Sequence, residues 1–159
     1  MKFFKKDIEL NTNLSIEEIL KNLQEITRKY GSKLNENQMF EGKISEKEIK
    51  IYPIFENGPR EQFRPEILIS IINNGVINCI LLKFRLSSNM KALFIFILIL
   101  NLGLALFMMF FSNIISIPYT DKWWIIPIFL MITFFIFLSY FDYKVSKSIS
   151  ILKEALDAE

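Results

Sequence analysis

Two arginines lie near the middle of the chain in the segment GPREQFRPEILIS, residues 58–70, between two prolines and ahead of an apolar run. A guanidinium group can donate two parallel N–H bonds, so Arg60 and Arg64 suit a phosphate, a carboxylate or a lipid headgroup. They equally suit ion pairs with neighbouring glutamates at the corner between two strands. The sequence leaves both interpretations open, a structural corner and an anion site at Arg60 and Arg64, and the corner is the simpler one.

The residue types that most enzymes use for catalysis are scarce. The sequence has no histidine, and its one cysteine, Cys79, excludes an intrachain disulfide. Histidine is the commonest general base and the commonest zinc ligand, and the sequence has neither a glycine-rich phosphate loop nor metal-ligand spacing. We therefore predict no catalytic residue, no metal, no cofactor and no enzymatic activity. A formal net charge of only +2 also predicts no nucleic acid partner.

Two apolar segments in the second half of the chain are long enough to cross a bilayer. Residues 92–117 contain no charged residue, and as a helix rising 1.5 Å per residue they exceed the ~30 Å hydrocarbon core. Residues 123–141 form a second uncharged run. The linker between them is long enough only to reverse the chain direction. We therefore predict two transmembrane helices, 92–117 and 123–141, that form a hairpin in the lipid bilayer.

The first predicted span contains two residues that favour helix contacts, Asn101 and Gly103. An asparagine in hydrocarbon needs a hydrogen-bond partner, and a glycine allows another helix to approach closely. They are interpreted as contacts between the two spans, with a dimer contact or part of a pore as the alternative. Neither span contains an ionisable residue of the kind that ion pathways use, so a transporter or pump is not indicated.

The distribution of basic residues predicts the orientation of the hairpin. Six basic residues flank the two spans on their outer sides, and the linker has only Lys122; the six are Lys83, Arg85, Lys91, Lys144, Lys147 and Lys153. By the positive-inside rule both termini are cytoplasmic. The predicted location is the bacterial inner membrane.

The first 88 residues have the pattern of a soluble α+β domain. Ser15 and Glu18 form a capping box ahead of a helix predicted at 16–30, with Gly31 as the residue that ends it. Alternating apolar and polar residues, with Asn74-Gly75 as a hairpin turn, predict strands at 3–12, 39–44, 48–55, 65–73 and 76–86. The predicted fold is α+β: a small antiparallel sheet of four or five strands with flanking helices, followed by the transmembrane hairpin and a C-terminal helix.

The C-terminal segment, residues 144–159, predicts a last helix with one apolar face. This helix could cover the sheet or lie in the membrane interface. Its acidic end is poorly suited to anionic lipid, which favours packing on the soluble domain. The predicted organisation is a cytoplasmic α+β domain (1–88), the two spans, and a cytoplasmic helix (144–159) that packs on the domain.

Several short motifs resemble those of a group of small bacterial two-span membrane proteins without an assigned activity. They are FEGKIS at 40–45, IKIYPIF at 49–55, the R-x-x-F-x-P pattern at 60–65, and LLKFRL at 81–86 directly before the first span. In that group the first arginine is followed by Asn-Ser, where this chain has Glu61-Gln62. The resemblance implies a β-domain before a transmembrane hairpin, and it implies no activity.

These features favour a membrane-tethered binding or regulatory module. Its partners would be the bilayer, an anionic ligand at Arg60 and Arg64, and a membrane protein or a second copy of the chain. The alternative function is a defence or immunity component that acts through its transmembrane hairpin.

Overall fold

A computed structural model of the chain describes residues 4–31, 38–45, 48–54, 64–73, 77–111 and 125–158. Its fold is α+β, as the sequence predicts. The elements in chain order are β1 (Lys5–Thr12), α1 (Ile16–Ile26), β2 (Thr27–Arg28), β3 (Phe40–Ile44), β4 (Ile49–Pro53), β5 (Pro65–Asn73), β6 (Asn78–Leu86), α2 (Ser88–Phe111) and α3 (Ile125–Ala155). They divide into two compact units, residues 1–87 with 141–159, and residues 88–140.

The first unit is built on one sheet with the strand order β1-β6-β5-β4-β3-β2. Neighbouring strands are antiparallel, except that β2 pairs with β3 in parallel. The longest pairing joins β5 to β6 from Pro65↔Leu86 to Asn73↔Asn78. The sheet therefore has six strands and is mixed, where the sequence predicts four or five antiparallel strands. The predicted Asn74-Gly75 turn lies outside the described residues.

The strand that the sequence did not predict is β2, and it replaces the end of the predicted first helix. The capping box is present, because the Ser15 hydroxyl accepts from the Glu18 N–H and the Glu18 carboxylate accepts from the Ser15 N–H. The helix stops at Ile26, however, and Thr27 is extended and pairs with Phe40. Pairing with β3 satisfies the backbone of this β-branched residue better than another helical turn does. Gly31 has a positive φ of +75°, but it lies in the turn after β2 and does not end α1 as the sequence predicts.

One face of the sheet carries the core. Alternate residues of β4, β5 and β6, among them Ile51, Ile67 and Phe84, are fully buried. The apolar stripe of α1 contributes Ile19 and Leu23, which are also fully buried. Because side chains alternate along a strand, this burial directs the charged residues of the strands to the opposite face.

The C-terminal residues belong to the same unit as the sheet. Val145, Leu152 and Leu156 are fully buried, and the Phe141 ring makes an edge contact with the Phe4 ring. The Thr12 hydroxyl donates to the Leu156 carbonyl at 2.7 Å. These contacts join residues 141–158 to the sheet within the first unit.

The second unit contains α2 and the first part of α3. The sequence divides the end of the chain into a span at 123–141 and a separate helix at 144–159. The structure instead has one helix, Ile125–Ala155, because no glycine or proline interrupts the chain after Pro127. The turn predicted between the two apolar helices lies outside the described residues.

Gly42 on β3 marks a close approach between two strands. A Cβ atom at this position would collide with the carbonyl oxygen and carbonyl carbon of Lys50 and with the Cα of Ile51. These are backbone atoms of the paired strand, so they cannot move aside as a flexible side chain does. The pairing of β3 with β4 therefore requires glycine here.

We expect Gly42→Ala to lower the free energy of unfolding by about 3 kcal/mol, the upper part of the range for overpacking a well-packed site. The measurement is thermal unfolding of the full chain in detergent, followed by circular dichroism. Gly103→Ala is the matched control, because no atom of the described residues lies within 4 Å of the Cβ that it adds. Equal melting temperatures for Gly42→Ala and the unmodified chain would contradict the prediction.

Candidate functional site

The face of the sheet opposite the core carries a band of charged side chains, which we call the charged face. It is formed by alternate residues of the strands and by Arg64, which lies directly before β5. The strand residues are Lys5, Asp7 and Glu9 on β1, Arg28 on β2, Glu41 and Lys43 on β3, Lys50 and Tyr52 on β4, Glu66 on β5, and Lys83 and Arg85 on β6. In the sequence, the alternation of apolar and polar residues predicted the strands. The structure adds which of these charges are neighbours.

Three ion pairs organise the charged face. Arg28 binds Glu41 at 2.6 Å, with both side chains largely buried at 17% and 11% exposure. Lys50 pairs with Glu66. Lys5 pairs with Asp7 at 3.2 Å, and both are well exposed, so this pair contributes little stability. The Arg28 pair is different, because removing either partner would leave an unpaired charged group in a largely buried position.

Two tyrosines extend the polar cluster at β4. The rings of Tyr30 and Tyr52 lie 6.2 Å apart, and the Lys50 ammonium is 5.9 Å from the centre of the Tyr52 ring. Partial burial, reinforced by Tyr52, raises the pKa of Tyr30 to about 12. The hydrogen bond to Glu66 raises the pKa of Lys50 above its ordinary value. Lys50 therefore stays charged and Tyr30 neutral across the physiological range.

Of the two arginines predicted as anion ligands, Arg60 lies outside the described residues and Arg64 lies directly before β5. Arg64 is half-buried, and its Nη1 atom is shielded from solvent without a hydrogen-bond partner. The Nε atom of Arg85 is also shielded from solvent without a hydrogen-bond partner. In the strand register, Arg85 is directly opposite Glu66. Arg85 is therefore opposite the residue two positions after Arg64, whereas the sequence indicated it only as part of the basic flank of the first span.

The residues predicted as transmembrane contacts have different surroundings. Asn101 lines a cavity of about 230 Å³ between α2 and α3, opposite Thr133. Its amide nevertheless donates to the Ile97 carbonyl of its own helix at 2.8 Å. Gly103 has no atom of the described residues within 4 Å of its would-be Cβ, so it is not where α2 approaches α3 within the described chain. A contact of Gly103 with a second copy stays a prediction.

A second cavity lies in the first unit, between α1 and the sheet. Its volume is about 310 Å³, at the lower end of small-molecule sites. Its lining is mostly aliphatic, with Glu48 and Ser70 as polar members, and includes Ile16, Leu20, Ile49, Ile69 and Ile71. The described residues contain no cluster of side chains that could hold a metal ion. The charged face is therefore the best-defined site for recognition of a charged partner.

Comparisons with known proteins do not extend this description. No protein-family model matches the chain, no curated protein matches it, and no solved structure matches it. The resemblance to small bacterial two-span proteins therefore stays a prediction, and functional arguments come from the geometry of the chain itself.

We expect the protein to lose stability as the pH rises above about 10. The folded-state pKa values of Tyr30 and Lys50 are both raised, so the unfolded chain releases protons from these groups that the folded chain retains. The contribution is complete below pH 10 and is lost as the pH approaches 12. The measurement is the melting temperature of the full chain in detergent between pH 9 and 11.5.

Tyr30→Phe tests the assignment of this effect. The variant cannot titrate at position 30, so its melting temperature should fall less steeply over the same pH range. Tyr143→Phe is the matched control, because it removes a tyrosine hydroxyl group from an exposed position on α3. The same slope in the Tyr30→Phe variant and the unmodified chain would contradict the prediction.

Proposed function

We propose that the chain is an integral protein of the bacterial inner membrane in which a two-helix hairpin tethers a non-enzymatic binding or regulatory module. The module is the first unit, with the charged face as its recognition surface. The proposal combines the apolar character of the second unit with the charge of the sheet in the first.

The observation that carries the proposal is the exposure of apolar side chains on α2 and α3. Both helices are long and apolar enough to cross a membrane, and only 11% and 17% of the residues in their apolar windows are buried within the chain. Phe96, Phe110 and Phe129 are each more than 60% exposed. A core helix of a water-soluble domain would be buried, and a soluble surface rarely exposes so large an apolar patch. A lipid environment accounts for both properties.

The first unit combines segments from before and after the apolar helices, and this arrangement supports the hairpin topology. Residues 4–87 and 141–158 form one packed unit, joined by contacts such as Thr12 to Leu156. Parts of one folded unit lie on the same side of a membrane, so the chain between them crosses an even number of times. Two helices satisfy this condition, and the excess of basic residues outside the hairpin favours the cytoplasm as the common side.

The charged face supports a role in binding. This face carries two arginines that have N–H groups shielded from solvent and without a hydrogen-bond partner among the described residues. Such groups are suited to recognise a charged partner without reacting with it. The partner is an anionic ligand or a complementary protein surface.

Membrane insertion and topology can be tested in intact cells. In a Cys79→Ser background, we expect the single cysteines of Lys29→Cys and Glu154→Cys to react with a membrane-impermeant maleimide only after permeabilisation. Thr120→Cys, in the segment between the helices, should react in intact cells. The chain should stay in the membrane pellet after carbonate extraction.

The cysteine-free Cys79→Ser chain is the control for background labelling. Labelling of Lys29→Cys in intact cells would contradict the orientation. Release of the chain by carbonate would contradict the tether.

A further inference from the structure

We propose that Arg64 and Arg85 form a binding site for a phosphate-bearing anion on the charged face. The proposal rests on the binding function proposed above and names its ligand class. The sequence predicted an anion site at Arg60 and Arg64. This proposal keeps Arg64 and adds Arg85, from β6, as its second ligand.

The register of β5 and β6 brings the two arginines together. Arg85 is directly opposite Glu66. Arg64 precedes Glu66 by two residues, and strand alternation gives both the same face. Arg64 lies directly before β5, and continuing the strand register by one residue makes it a diagonal neighbour of Arg85, about 7–8 Å away at the backbone and within reach of a long side chain. A group placed between them can accept from both.

The nearest carboxylates are already engaged. Glu66, the residue opposite Arg85, pairs with Lys50. On β1 the residue opposite Arg85 is Lys5, and Asp7, two residues further along, forms an ion pair with Lys5. Glu9 is opposite Leu81, four residues or about 13 Å along β6 from Arg85. Within the described residues, no carboxylate forms an ion pair with Arg64 or Arg85.

One N–H donor atom of each arginine is buried and needs a hydrogen-bond acceptor. The Nη1 atom of Arg64 and the Nε atom of Arg85 are both shielded from solvent, and neither has a hydrogen-bond partner among the described residues. A buried donor without an acceptor is unfavourable, whereas an arginine that extends into water satisfies its donors at no cost. Both arginines are only half-buried as residues, so an oxygen from outside the chain can approach their partly exposed side chains, and the two unpartnered donors favour its binding.

The chemistry of the pair favours phosphate. Each guanidinium can donate two parallel N–H bonds, so two of them can hold several oxygens of one tetrahedral anion. Lys83, two residues from Arg85 on the same face, adds positive charge and has no ion pair among the described residues. A phosphate carries enough negative charge to balance this cluster better than a single carboxylate does.

Two sources can supply that phosphate group, a soluble phosphorylated molecule and a phospholipid headgroup. Arg85 lies three residues before Ser88, the first residue of α2, and three residues of extended chain span about 10 Å. If α2 enters the membrane as proposed, a headgroup is within reach of the site. The experiment distinguishes the two sources.

The first arm measures binding of inorganic phosphate to the full chain in a neutral detergent, from the rise in melting temperature relative to sodium chloride of equal ionic strength. The second arm measures by native mass spectrometry which lipid is retained from an equimolar mixture of phosphatidylglycerol and phosphatidylcholine. Binding in either arm should weaken about tenfold or more in Arg64→Gln/Arg85→Gln, because charge-assisted bonds are lost.

Lys21→Gln/Lys153→Gln is the matched control, since it removes the same charge from exposed positions on the two covering helices. It should bind as the unmodified chain does. Arg64→Lys/Arg85→Lys keeps the charge without the planar fork, so it should recover only part of the binding. It also serves as the test if the glutamine variant does not fold.

A rise in melting temperature with phosphate, without lipid preference, identifies a soluble ligand. Preferential retention of phosphatidylglycerol identifies a lipid headgroup. Either result supports the site when the arginine variants lose that binding. Equal behaviour of the arginine and lysine-to-glutamine variants, or no binding in either arm, overturns the site. Carbonate extraction of the same variants separates this result from the proposed function: release from the membrane with phosphate binding retained refutes the tether and leaves the site standing.

Discussion

The alternation of side chains across the sheet is the constraint on which the rest of the structure depends. Successive residues of a strand point to opposite faces, so covering one face with apolar helices commits every second residue to it. Ile67 and Phe84 are fully buried on that face, and their neighbours Glu66 and Arg85 are therefore opposite one another on the other face. The core and the charged face are two consequences of one register. A shift of that register by one residue would exchange them.

The elements that depend on local signals could be predicted from the sequence. The strand at 65–73 agrees in both bounds with β5, because prolines and asparagines delimit a run of alternating apolar residues. The start of α1 is fixed by the Ser15 and Glu18 capping box, whose hydrogen bonds are all within four residues of each other. The apolar content of α2 and α3 is likewise a property of composition. In each case the determining interaction is close along the chain.

The features that the sequence could not indicate depend on distant pairing. Thr27 and Arg28 continue a helical segment in the local pattern, and they form a strand because β3 offers backbone partners at Phe40 and Glu41. Arg85 is one of several basic residues before an apolar helix, and only its register with Glu66 brings it near Arg64. The candidate site is therefore partly local, in the arginine before β5, and partly a product of strand pairing.

The first unit is assembled from segments on both sides of the apolar helices in the chain. Its sheet comes from residues before the apolar helices, yet part of its buried cover, including Leu152 and Leu156, comes from residues after them. Thr12 bonds to the Leu156 carbonyl, so the two ends of the chain close the same core. The hairpin is therefore an insertion within a domain, with two covalent connections to it. Because the last part of the core is synthesised after both apolar helices, the module can complete its packing only when the whole hairpin has been made. The apolar helices are therefore joined at both ends to the same folded unit, and the contacts that complete its core, such as Thr12 to Leu156, connect residues from either side of them in the chain.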